Sequence, residues 1–174
     1  LWQTSTNYCI YLLVENTARI NDCLKYATGI FEVITNSANS NVGTGNDGVY
    51  NDGSFVFHTC YSYNTGYGYS FVSTIGPMVD MTAGTVFDIQ NLYGFSNLYD
   101  WIEKSWMPFI YKNARTKITS GREKAQGLSG KANIMVKSLL LVAKNAHDAE
   151  GKEKIVSLLK PLVDEYYDDY KAYE

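Results

Sequence analysis

The chain has 174 residues, a formal net charge of −3 and only 19% charged residues against 45% hydrophobic ones, where about 25% charged is usual for a soluble globular protein. Such a chain folds as one domain, here taken as 1–174, rather than staying disordered, and without clustered Lys and Arg it does not bind nucleic acid. Its longest strongly apolar run, Leu139 to Ala143, is far short of the ~20 residues of a membrane-spanning helix.

Ile10, Leu13, Thr17, Ile20, Leu24, Ala27, Phe31 and Ile34 step by alternate threes and fours, which predicts one unbroken helix over 10–34. Thr4, Ser5, Thr6 and Asn7 offer cap oxygens before it, and the Asn/Ser stretch from Asn36 to Asn41 ends it. Residues 39–54 lose all apolar periodicity and read as a loop, with turns at Asn46-Asp47-Gly48 and Asn51-Asp52-Gly53. Asp47 and Asp52 lack the spacing and closing Glu of a calcium loop.

The 55–75 segment is open to two readings. Phe55, Phe57, Thr59, Tyr61 and Tyr63 alternate as a strand would, whereas Val56, Cys60, Tyr63, Tyr67 and Phe71 follow helical spacing. Pro77 then suits the first position of a helix carrying Met78, Met81, Thr85, Ile89 and Leu92 on one side. A further helix from Asn97 places Ile102, Trp106 and either Phe109 or Ile110 inward, with Pro108 kinking it, and 116–130 is a Gly-rich connection. The C-terminal part reads as a helical hairpin: Ala132, Met135, Leu139, Val142 and Ala146 form one stripe, Gly151 the turn, and Ile155, Leu159, Leu162, Tyr166 and Tyr170 the other stripe. The fold class is therefore mainly α, a bundle of about four to six helices, with a β-hairpin in 55–75 if the strand reading holds. No motif covers enough of the chain to assign a family.

On an unbroken first helix, Cys9 and Cys23 stand roughly 21 Å apart, beyond the ~7 Å that a disulfide tolerates. At most one of them then pairs with Cys60, and the spare thiol suits a disulfide-linked homodimer. His58 and His147 are the only imidazoles, too few and too scattered for a zinc site, and no cofactor motif is present. A Cys-His nucleophilic pair built on His58 has no local support.

Neutral polar residues and 15 Tyr make up the low charge, a composition that points outside the cell. Leu1 in place of an initiating Met fits removal of a signal peptide and equally a trimmed or incomplete start, so it decides nothing by itself. The leading functional expectation is a secreted, non-catalytic structural, surface-active or hydrophobic-ligand-binding protein that self-associates, with Phe31, Trp106, Phe109 and Leu139 lining an apolar pocket for a lipid. The second is a carbohydrate- or protein-recognition module that presents Tyr61, Tyr63, Tyr67 and Tyr69 as a stacking surface. A cysteine-dependent enzyme is the third.

Overall fold

A computed structural model describes residues 10–12, 14–27, 29–34, 46–121 and 132–173. Its helices are α1 (Thr17–Ala27), α2 (Tyr67–Thr82), α3 (Asn97–Trp101), α4 (Asn133–Asn145), α5 (Ala149–Glu165) and α6 (Tyr167–Tyr170). A three-stranded antiparallel sheet has the order β1 (Gly48–Val49), β2 (Phe55–Phe57), β3 (Tyr61–Ser62), and a two-stranded ribbon pairs β4 (Ile110–Tyr111) with β5 (Ala114–Arg115). The mainly helical expectation holds.

The unbroken first helix does not. Glu15 sits at φ +53°, a left-handed conformation that ends helical pairing, and Asn16 then caps a new start through Arg19 N–H donating to its Oδ1 at 3.1 Å. Ile10 and Val14 are exposed, whereas Ile20, Cys23, Ala27 and Phe31 are buried. The separation between Cys9 and Cys23 therefore cannot be drawn from helical rise, and Cys9 lies outside the described residues. Cys23 is buried, Cys60 is exposed and both are free thiols, so the bridge to Cys60 is not formed. The disulfide expectation is withdrawn.

Both readings of 55–75 are correct in turn, because the period changes from two to 3.6 within the segment. Val56 pairs with Gly48 and Ser62, and Phe57 with Tyr61. Helix α2 starts at Tyr67 and runs through Pro77, which therefore lies inside a helix and does not start one. The helix ends before Gly84, at φ +74°, and Asp88 then caps a 3-10 turn, Ile89–Asn91, by accepting from Gln90 N–H. After α3 the chain widens into a π turn, Ile102–Trp106, and Pro108 falls in the following 3-10 turn, Met107–Phe109. In the C-terminal hairpin the turn is at Ala146–Asp148, with Asp148 capping α5. Gly151 serves close approach instead: a Cβ there would lie 2.4 Å from the Tyr99 ring.

The core lies between α2 and α4, where Val72, Ile75 and Val79 meet Met135, Leu139 and Val142, and α5 covers the far side with Ile155 and Leu159. An aromatic layer closes one end: Phe31 packs on Phe95 (4.9 Å between ring centroids) and Trp101, and Phe71 stacks on Trp106 at 6.1 Å. Phe31, Trp106 and Leu139, expected to line a lipid pocket, are core residues, and Phe109 is half-buried in its 3-10 turn. No pocket unites the four among the described cavities.

The β4–β5 turn consists of Lys112 and Asn113, both at positive φ, the geometry of a two-residue primed turn. It is fastened to the C-terminus: Tyr170 donates its hydroxyl to Asn113 Oδ1, and Asn113 Nδ2 donates to Asp169 at 3.0 Å. Burial, reinforced by the Asp169 charge, pushes the Tyr170 phenol up to about 12. An unfolded tyrosine loses its proton near 10, so above that pH the unfolded chain binds fewer protons than the folded one and stability falls. A denaturant titration across pH 10–12 is expected to show that decline, and Tyr170→Phe to flatten it; an unchanged slope in the variant would assign the decline to other groups.

Candidate active site

The β2–β3 hairpin is short, and its turn is unusual. Its residues are His58, Thr59 and Cys60, with His58 at φ +53° and Thr59 at φ +65°. Turns with two successive positive φ values are ordinarily built from Asn-Gly or Gly-Gly. A β-branched residue there is a true outlier, and such positions cost on the order of 1–3 kcal/mol each unless the surroundings hold them. The sequence has thus placed an imidazole and a threonine where turn formers belong.

What surrounds the turn is aromatic. The exposed His58 ring sits edge-on to Phe57, centroids 4.6 Å apart, and perpendicular to Tyr67 at 5.7 Å. Tyr67 packs on Phe57 at 4.2 Å and on Tyr63 at 5.2 Å. Tyr67 is the first residue of α2, so the β3-to-α2 connection delivers it back against the turn that carries His58.

That connection is tightly fixed. The buried Asn64 amide uses all its capacity: Oδ1 accepts from Phe55 N–H at 3.2 Å and from the Ser62 hydroxyl at 2.9 Å, and Nδ2 donates to Gly53 O at 2.9 Å and Ser105 O at 2.8 Å. Thr65 N–H donates to Thr119 O at 3.3 Å, and Thr65 O accepts from Arg115 at 2.5 Å. Arg115 also lies 4.3 Å from the Tyr69 ring centroid, a cation–π distance. Gly66 must lack a side chain, since a Cβ there would meet the Tyr63 ring at 2.5 Å.

Beside this group opens a cleft of about 580 Å³. Ile30, Val33, Ile34, Phe55, Phe57 and Phe71 form its apolar walls, and Glu32, Asn46 and Asp47 contribute polar groups. Phe57 belongs to both the cleft wall and the His58–Tyr67 cluster. The described residues hold no group of three or more His, Cys, Asp or Glu side chains that would bind a metal.

The tyrosines expected to form one stacking surface are divided by the fold. Tyr61 is exposed, Tyr67 half-buried, and Tyr63 and Tyr69 are core. Sequence reasoning named Tyr67 as part of a stacking surface and paired His58 with cysteines, and so missed the approach of these two rings. The available signal was an imidazole at the tip of a hairpin between two alternating runs, followed nine residues later by a tyrosine opening a helix.

An imidazole beside a phenol on a held, exposed turn next to an apolar cleft can move protons, and the proteins to which the chain is similar are named as lyases. A xanthan lyase from Bacillus sp. (strain GL1) is 38% identical over 80 residues, 46% of this chain and 8% of that protein. A hyaluronate lyase from Staphylococcus aureus is 30% identical over 148 residues, 82% of this chain and 18% of that protein. The chain thus spans less than a fifth of these relatives. Among solved structures, Paenibacillus xanthan lyase superposes with a TM-score of 0.76 at 24% identity over 99% of this chain and 17% of that one. The chondroitin AC lyase of Streptomyces coelicolor A3, in complex with chondroitin sulphate, superposes with a TM-score of 0.70 at 20% identity over 89% of this chain and 21% of that one; these two show the fold. The expectation of a non-catalytic, self-assembling structural or lipid-binding protein is overturned by the lyase relatives. Most of the chain, residues 12–160, matches the family described as polysaccharide lyase family 8, N terminal alpha-helical domain, and the chain belongs to that family.

Proposed function

We propose that this chain carries the acid–base pair of a polysaccharide lyase, His58 and Tyr67, and acts outside the cell on a polymer containing uronate residues. The observation that carries this reading is the perpendicular approach of the two rings at 5.7 Å on a strained, exposed turn. A lyase breaks a glycosidic bond by elimination, without water. One base removes the proton on the carbon next to the carboxylate, that electron pair becomes a C=C bond, and the bond to the leaving sugar oxygen breaks as an acid protonates it. The step needs one proton acceptor and one donor close together. A neutral imidazole accepts and a phenol donates, so His58 takes the carbon-bound proton and Tyr67 gives its own to the leaving oxygen. The uronate requirement follows from the chemistry, since a sugar C–H without an adjacent carboxylate is not acidic enough. The extracellular site of action follows from the size of polysaccharides, which do not diffuse across membranes.

The substrates named for the relatives, xanthan, hyaluronate and chondroitin, are the polymers to try. The intact protein is expected to release fragments from at least one of them with a matching rise in ultraviolet absorbance, from the new C=C conjugated to the carboxylate. New reducing ends without that absorbance would mean hydrolysis, and cleavage of none of the three would withdraw the reading.

A further inference from the structure

The turn that carries His58 holds the β-branched Thr59 at φ +65°, where such a side chain is a genuine outlier, so something outside the turn must hold it. One contact does so from eleven residues upstream of His58: Asp47 Oδ1 accepts the Thr59 N–H at 2.7 Å. The register explains the reach. Gly48 pairs with Val56 and Val49 with Phe55, so Asp47 falls at the level of Phe57, one residue before the turn. Its carboxylate there meets the amide of the second residue at positive φ, which fixes the turn at the point where it would otherwise relax to ordinary β or helical angles. A relaxed turn would swing the His58 ring away from Tyr67, because the direction of a side chain follows the φ of its own residue.

We infer that Asp47 is a positioning residue for the His58–Tyr67 pair: it fixes the strained turn through Thr59 and does not itself exchange a proton with substrate. This rests on the lyase reading for its catalytic consequence, but not for the hydrogen bond. Asp47 is exposed, so its bond bears on local geometry more than on global stability. The same acceptor is available from an asparagine Oδ1, which makes the claim separable from one about charge.

The test uses the intact protein and the variants Asp47→Ala, Asp47→Asn and His58→Asn. Hydrogen exchange at the Thr59 amide, localised by fragmentation mass spectrometry, reports the turn. Asp47→Ala is expected to remove protection at Thr59 and lower kcat about tenfold or more, as misplacement of a reacting group does, with KM changed less than about threefold and Tm within about 2 °C. Asp47→Asn is expected to restore both protection and most of kcat. Unchanged Thr59 protection in Asp47→Ala, or lost protection with wild-type kcat, would overturn the inference. A fall in kcat that Asp47→Asn fails to restore would overturn it as well, since charge and not the acceptor would then matter. If His58→Asn keeps full activity, the lyase assignment fails by itself, and the holding role of Asp47 is still decided by Thr59 exchange.

Discussion

Tyr67→Phe is expected to lower kcat for polysaccharide cleavage by about 10²–10⁴-fold, the usual contribution of a positioned acid or base, while KM and Tm stay close to wild type. The variant deletes one oxygen. Among the described residues its ring packs against Phe57 at 4.2 Å, Tyr63 at 5.2 Å and His58 at 5.7 Å, and phenylalanine keeps all three. The partner variant is chosen by backbone: alanine at φ +53° would add strain to the loss of the imidazole, whereas asparagine tolerates that region, so His58→Asn isolates the side chain. If the two groups hand protons to one substrate in one elimination, the double variant falls little further than the worse single one, as residues acting as a unit do. Steady-state kinetics on the susceptible polymer decide it, and Tyr67→Phe with kcat within about threefold of wild type would remove the phenol from the reaction.

The helical hairpin was legible from spacing alone because both its helices bury one continuous stripe: Met135, Leu139 and Val142 on α4, Ile155 and Leu159 on α5. The same rule misled at the N-terminus. Ile10 keeps the spacing yet is exposed, whereas Ile20, Ala27 and Phe31 are buried, so the step ran on across Glu15 and Asn16 without a common buried face, and the break was visible only in φ. The 55–75 segment defeated the rule differently, since a window spanning Tyr63 averages a period of two with one of 3.6. The proposed acid–base pair was the least legible part. Thr59 has no propensity for the backbone it adopts; the fold imposes it through Asp47, the Phe57–Tyr61 pair and Asn64. A position where local preference and observed backbone disagree is where function is expected to sit, but that disagreement has no signature in the residues read alone.

Gly76→Ala is expected to destabilise the protein by at least about 3 kcal/mol, the upper range for overpacking a core, against a total of about 5–15 kcal/mol for a typical domain. Two effects oppose each other. Alanine in place of glycine inside a helix favours folding by about 1 kcal/mol, and Gly76 lies within α2 at a negative φ that alanine adopts freely. The added Cβ, however, would sit 2.1 Å from the Ser138 carbonyl oxygen and 2.5 Å from its Cα, far inside any real contact. The two helices meet here at backbone distance, and Ser138 completes the joint: its hydroxyl accepts from Gly76 N–H at 2.8 Å and donates to Val72 O at 2.6 Å, the two groups that an i→i−4 bond would join. Pro77 follows immediately, so the serine hydroxyl enters the helix ladder at the turn where proline disturbs it. Because the clash is with main-chain atoms of Ser138, no change of side chain at 138 can relieve it. The double variant Gly76→Ala with Ser138→Gly is therefore expected to be no more stable than Gly76→Ala alone in urea denaturation. Recovery to within about 1 kcal/mol of wild type would show that α2 and α4 can move apart, and that their close approach does not set the packing of the core.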